Sequence, residues 1–123
     1  MKKILLIEDD KKFRVLFSRL LERKFGILIR EADNGETGLK LFCELKPDIL
    51  FLDIELPGLN GIELLKEIRK HNKYSRVVMI TNNSDKEYVA SAVQVGVDDY
   101  IIKTDFILSL QERLEKILGR GIN

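Results

Sequence analysis

Polar residues able to do chemistry recur in this sequence directly after short apolar runs. Glu8-Asp9-Asp10 follows Ile4-Leu5-Leu6-Ile7, and Asp53 follows Ile49-Leu50-Phe51-Leu52. Thr81 follows Val77-Val78-Met79-Ile80, and Lys103 follows Tyr100-Ile101-Ile102. Gathered in one place, these groups would form a carboxylate cluster with one hydroxyl and one ammonium. Two carboxylates about 4 Å apart repel by roughly 4 kcal/mol at an effective dielectric near 20. A hard divalent cation offsets that repulsion, and Mg²⁺ typically takes one or two carboxylates and keeps several waters. Its open positions suit a phosphoryl oxygen, while Lys103 as a point charge and Thr81 as a donor would complete a cradle for a dianion. Carboxylates accept phosphoryl groups as aspartyl-phosphates. The chemistry expected is Mg²⁺-assisted phosphoryl transfer onto Asp53.

Taken singly, each residue has a simpler explanation. A charged residue just past a strand is usually solvated or caps a helix, and Asp10 is assigned to capping the first helix. The weight comes from four strands each ending in a group that one reaction uses.

The elements that must position these residues follow from the apolar pattern. The runs at 4–7, 49–52, 77–80 and 100–102 are strands, those at 4–7 and 49–52 continuous as expected of strands buried on both faces. Ile27-Leu28-Ile29 supplies a further strand, second in chain order and ending in Arg30-Glu31. Between them lie helical stripes: Phe13, Leu16, Phe17, Leu20 and Leu21; then Leu39, Phe42 and Leu45; then Ile62, Leu65 and Ile68. Val89, Ala92 and Val93 are expected to face inward on the fourth helix, and Ile107, Leu110, Leu114 and Ile117 to stripe the fifth. Asn60 with Glu63, and Ser84 with Glu87, have the spacing of N-terminal capping boxes. Gly26 and Gly96 end helices, and Pro47 stops one. Alternating strands and helices with short right-handed connections imply an α/β, flavodoxin-like, doubly wound fold. The strand order expected is 2-1-3-4-5, with helices on both faces. In that order strands one and three are neighbours, so Asp9 and Asp53 should sit side by side.

Composition bounds the remaining possibilities. The 123 residues suffice for one domain, with 21 Lys plus Arg against 20 Asp plus Glu and a formal charge of +1. That balance argues against nucleic-acid binding through a large basic face. One cysteine and one histidine exclude a disulfide framework and a Cys/His zinc site. No apolar run has the length of a membrane span or signal peptide. A cytoplasmic domain that binds neither nucleic acid nor membrane is expected, with residues 1–118 forming it and 119–123 a tail or the start of a linker.

These stretches resemble the receiver domain of two-component response regulators. The match is carried by Lys3 to Asp10, Asp48 to Gly61, Val78 to Thr81 and Gly96 to Lys103. The resemblance implies that Asp53 is the phosphoacceptor, served by the phosphohistidine of a histidine kinase or phosphotransfer protein. It implies that Asp9 and Asp53 bind Mg²⁺ through side chains, Glu8 through water and Glu55 through its backbone carbonyl, with Mn²⁺ as a substitute. Thr81 and Lys103 match the residues that contact the phosphoryl group, and Tyr100 matches the switch aromatic. Rearrangement of Thr81 and Tyr100 would alter the face of the fourth helix, fifth strand and fifth helix. A downstream target, a C-terminal effector domain or a second protomer would bind there, and Asp98, Asp99 and Arg113 could support a homodimer. The domain would assist its own phosphorylation and dephosphorylation rather than act as a turnover enzyme.

Three departures from the family pattern stand out. Asn82 replaces a small residue and is expected to limit access of water and small phosphodonors. Thr104 stands in place of a proline that follows a cis bond, and cis costs about 2.5–4 kcal/mol for other residues. Glu55 and Asn83 occupy variable positions expected to tune the lifetime of the phosphoryl group. His71 is read as a solvated helix end rather than a relay histidine, and Cys43 as a structural thiol. Two competing functions are a phosphorylation-independent binding module and a phosphatase resembling the haloacid dehalogenase superfamily. Asp53-Ile54-Glu55 mimics the latter's Asp-x-Asp pair, but Glu replaces the second Asp.

Overall fold

The computed structural model describes residues 2–57, 60–82, 86–103 and 108–119, without the side chains of residues 86, 88 and 108–111. The strands are β1 (Ile4–Ile7), β2 (Arg30–Ala32), β3 (Ile49–Asp53), β4 (Arg76–Thr81) and β5 (Asp99–Ile102). The helices are α1 (Lys11–Phe25), α2 (Gly35–Leu45), α3 (Gly61–His71), α4 (Lys86–Val95) and α5 (Leu108–Gly119). All strand pairs are parallel, in the order β2-β1-β3-β4-β5. The flavodoxin-like order read from the sequence is the one adopted.

Period-two alternation along the central strands divides the core in two. Leu5, Ile7, Leu50, Leu52, Val77 and Met79 point to the face covered by α2, α3 and α4. Ile4, Leu6, Ile49, Phe51, Val78 and Ile80 point to the face covered by α1 and α5. Both sets are buried, so these strands read as unbroken apolar runs rather than alternating ones. Burying one such side chain fully contributes roughly 1.5–3 kcal/mol. On the second face Phe17 meets Phe51 edge-on, with ring centroids 4.9 Å apart.

Side chains close the helix ends. Asp10 accepts from the Lys12 and Phe13 amides, Asn34 from Thr37 N–H and Asn60 from Ile62 N–H. Gly26 caps α1 in the left-handed region, at φ 66°. Gly96, at φ 126°, donates to the Ala92 carbonyl after α4. Gly61 is needed for a different reason: a Cβ there would lie 2.1 Å from the Ile54 carbonyl oxygen. The start of α3 is thereby set directly against the exit of β3.

The fold corrects three expectations. The second strand is Arg30–Ala32, not Ile27–Ile29. Leu5 pairs with Arg30, so Ile27 and Leu28 run beside residues upstream of β1, where no ladder is available. Ile27 and Ile29 pack against the core instead, and Leu28 is 79% exposed. As an edge strand β2 has one hydrogen-bonded neighbour, which lets the charged Arg30 and Glu31 occupy it. Leu16 and Val93 are the other two, 46% and 53% exposed. On α1 the buried line is Phe13, Phe17 and Leu21, and on α4 it centres on Ala92, one residue and about 100° away from Val93. Leu114, Ile117 and Leu118 are buried on α5, while the predicted Ile107 and Leu110 contacts and the Ser84 cap lie outside the described residues. Among those residues no helix is long and apolar enough to cross a membrane.

Candidate functional site

The register of the sheet sets the site. Ile7 pairs with Leu52, so the next residues, Glu8 and Asp53, leave β1 and β3 together. Asp53 pairs with Ile80 and Thr81 with Ile102, which carries the same edge across to Lys103. Lys103 N–H donates to the Thr81 carbonyl at 2.7 Å. Glu8, Asp9 and Asp53 each present a carboxylate oxygen within 4.8 Å of the others. Glu8, Asp53 and Thr81 are buried, whereas Asp9 faces solvent. The adjacency of Asp9 and Asp53 inferred from strand order is therefore realised.

Lys103 lies over this cluster. Its ammonium pairs with Glu8 and is 3.2 Å from Asp53 Oδ2, while its underside rests 4.9 Å from the Phe13 ring centroid. Asp53 Oδ1 accepts the Glu55 amide at 2.9 Å. Burial alone would raise the Asp53 carboxyl. Hydrogen bonds from Glu8 and Glu55 N–H, and the Lys103 charge, outweigh it and hold the group below 3.8. Glu8 goes the other way. Burial, and then the adjacent Asp53 with which a protonated Glu8 shares its hydrogen, push it up to about 8 against the pull of Lys103. Burial and then Asp53 also raise Asp9. Burial tends to lower Lys103, but the Glu8 hydrogen bond and both carboxylate charges prevail and raise it above 10.5.

No described donor reaches Glu8 Oε2 when the carboxyl is ionised, and the atom is fully buried. Three convergent carboxylates, one lacking a donor and two pushed toward protonation, are a set that a hard divalent cation would satisfy. The donor set is all oxygen, which fits Mg²⁺ or Mn²⁺ rather than a thiolate-seeking metal.

Thr81 is where the expected cradle differs. Its hydroxyl donates to a Glu55 carboxylate oxygen, and the same oxygen accepts the Asn82 amide at 3.1 Å. Sequence reasoning gave Glu55 a backbone role and a tuning role, but not this contact. Asn82 is exposed beside the site. Asn83 and the Lys103–Thr104 bond lie outside the described residues. Tyr100 is 37% exposed, with the Arg113 guanidinium 5.2 Å from its ring centroid. Arg113 also donates to the Tyr100 carbonyl at 2.6 Å and pairs with Asp99 at 3.2 Å. Asp98 accepts the Val77 amide and pairs with Arg69 at 3.0 Å. Asp98, Asp99 and Arg113 are thus engaged within the chain.

Arg14 was not singled out from the sequence. Its guanidinium donates to the Glu8 and Asp9 carbonyls, at 2.9 and 3.4 Å, and pairs with Glu31. It fixes the turn that presents both acids. A signal existed: a cation near the start of a helix opposes the macrodipole and so calls for a local partner. His71 is the last residue of α3, at the end opposite Gly61, which abuts Ile54 beyond β3, and Cys43 is an exposed free thiol.

The family model for the response regulator receiver domain matches residues 4–115. The chain belongs to that family. Among curated relatives it is 36% identical over 121 residues to the transcriptional regulatory protein AfsQ1 of Streptomyces coelicolor, covering 98% of this chain and 53% of that one. It is also 36% identical to chemotaxis protein CheY-3 of Vibrio cholerae, covering 96% and 92% of the two chains. The receiver domain thus spans about half the length of the AfsQ1-type relatives it matches. A crystal structure of the signal receiver domain of a DNA-binding response regulator from Colwellia psychrerythraea superimposes with a TM-score of 0.85. That pair is 27% identical, with 98% of this chain and 100% of the other covered.

Proposed function

We propose that this receiver domain is a phosphorylation-dependent switch that accepts a phosphoryl group on Asp53 from a phosphohistidine. The observation that carries the proposal is the Asp53 carboxylate itself. It is buried, held ionised, and set between Lys103 and the acids Glu8 and Asp9. In the transfer a carboxylate oxygen of Asp53 forms the new P–O bond as the donor's P–N bond breaks, and the imidazole leaves with that electron pair. Lys103 neutralises charge on the phosphoryl oxygens while remaining within reach of Asp53. Asp9 and Asp53 through side chains, Glu8 through water and the Glu55 carbonyl would hold Mg²⁺, which when bound offsets the carboxylate repulsion and screens the incoming group.

Thr81 and Tyr100 would transmit the change to the face of α4, β5 and α5. A target protein, an effector domain in a longer chain or a second protomer would read it. The partners and a cytoplasmic setting follow from family membership rather than from any contact in the fold. The decisive experiment is intact-protein mass spectrometry after incubation with Mg²⁺ and either acetyl phosphate or a phosphohistidine domain. One base-labile phosphoryl adduct, missing in Asp53→Ala, is expected. No adduct from either donor would favour a phosphorylation-independent module, and many turnovers of a phosphate ester would favour the phosphatase.

A further inference from the structure

The Thr81 hydroxyl and the Asn82 amide both donate to one carboxylate oxygen of Glu55. These donors lie at the end of β4, one strand over from Asp53, and Thr81 is fully buried. Glu55 stands two residues beyond Asp53, and its own amide is held by Asp53 Oδ1 at 2.9 Å. A resident anion therefore occupies a hydroxyl and an amide at the edge of the acceptor pocket. A phosphoryl oxygen on Asp53 would call for the same kind of donor. Hydrogen bonds to a charged acceptor are roughly twice as strong as neutral ones, so the resident carboxylate is a real competitor. Like charge adds to the competition, since a phosphoryl dianion beside Glu55 favours moving that side chain out to solvent. The Glu55 residue is already exposed, so leaving costs it little desolvation.

From this geometry we infer that the Glu55 side chain is an internal anion that holds Thr81 and Asn82 in the unphosphorylated arrangement and is displaced when Asp53 carries a phosphoryl group. Glu55 is thus a positioning residue acting through Thr81, and it sets how readily the switch is thrown. The inference rests on the acceptor function proposed for Asp53. It differs from a general tuning effect because it names the atoms that are competed for.

The test is titration of the full chain with beryllofluoride and Mg²⁺, beryllofluoride serving as the phosphoryl mimic, monitored by the Asn82 amide resonance and by affinity. Five chains are compared: wild type, Glu55→Ala, Thr81→Val, the double variant of those two, and Asp53→Ala. Valine has nearly the shape of the buried Thr81 but lacks its hydroxyl, so thermal unfolding of each variant first checks that it is folded. Glu55→Ala is expected to bind roughly tenfold or more tightly than wild type, the factor set by one charge-assisted hydrogen bond. In the Thr81→Val background the same substitution should gain less than about threefold, because the principal contested donor is gone. Before any ligand is added, the Asn82 amide should exchange faster in Glu55→Ala than in wild type. Equal gains in both backgrounds would reduce Glu55 to a diffuse charge and overturn the inference, as would no gain at all; in either case the acceptor role of Asp53 would stand. Binding that persists unchanged in Asp53→Ala would overturn the acceptor role, and the inference with it.

Discussion

Replacing Glu8 by Gln removes a titrating group from the acidic cluster while keeping the shape of a fully buried side chain. In the native protein burial pushes this carboxyl from an ordinary 4.5 to about 8. Between those values the folded chain keeps a proton that the unfolded chain has released. Stability therefore falls as pH rises, with a limiting slope of about 1.4 kcal/mol per pH unit for one proton. Across the whole interval this amounts to roughly 5 kcal/mol, absent below 4.5 and complete above 8. Asp53 has the opposite sign and a different window, because a carboxyl held below 3.8 contributes stability that is lost only in stronger acid. Lys103, raised above 10.5, loses its contribution only in more alkaline solution. Asp9 is raised too and adds a slope of the same sign as Glu8, but it is common to both chains. The assay is urea unfolding of wild type and Glu8→Gln at steps from pH 5 to pH 8, with chelator and then with Mg²⁺. Without metal, the variant should gain on wild type steadily, by several kcal/mol at pH 8. With Mg²⁺ the wild-type slope should flatten, since the cation holds the carboxylates ionised. Parallel metal-free curves for the two chains would refute the reasoning.

Other outcomes follow from single contacts. Gly61→Ala places a Cβ against the Ile54 carbonyl, so thermal unfolding should show a loss of about 1–3 kcal/mol as the backbone shifts. Arg69→Met strips donors from the Gly96 and Ser75 carbonyls and the partner from Asp98. It should cost about 3 kcal/mol in denaturant unfolding. Asp10→Ala removes the cap of α1 and should cost about 1 kcal/mol while leaving the Asp53 adduct detectable by mass spectrometry.

Much of this arrangement could be read before any coordinates. The unbroken run at Ile4–Ile7 carries its own explanation, since both faces are buried, and strand order then follows from connection rules. Capping residues such as Asp10 and Asn60 were legible because their chemistry is local. The edge strand was not. With one neighbour its ladder is chosen by where β1 begins, so Ile27–Ile29 looked like a strand and Arg30–Ala32 did not. Leu16 and Val93 failed similarly, because an apolar stripe defines a face about 100° wide and not which edge of it touches the sheet. The site divides along the same line. Residue types at strand ends announced Glu8, Asp9, Asp53 and Lys103 as a group. The Thr81–Glu55 contact depends on side-chain rotamers between the end of β4 and the loop after β3, and spacing along the chain carries no record of that.

Pairing of β1 with β3 brings together residues separated by some 45 positions, as in the Ile4–Ile49 pair. Seen as an order of events, that register has a consequence for how the protein is made. The helices can form locally, but the centre of the sheet waits on a long loop closure. A nascent chain that has reached Asp53 already holds the three acids, and Lys103 emerges fifty residues later. Until then the acids lack the lysine that tethers them in the finished fold. The last strand therefore delivers the countercharge along with the edge of the sheet, and the completed pocket cannot precede the completed domain.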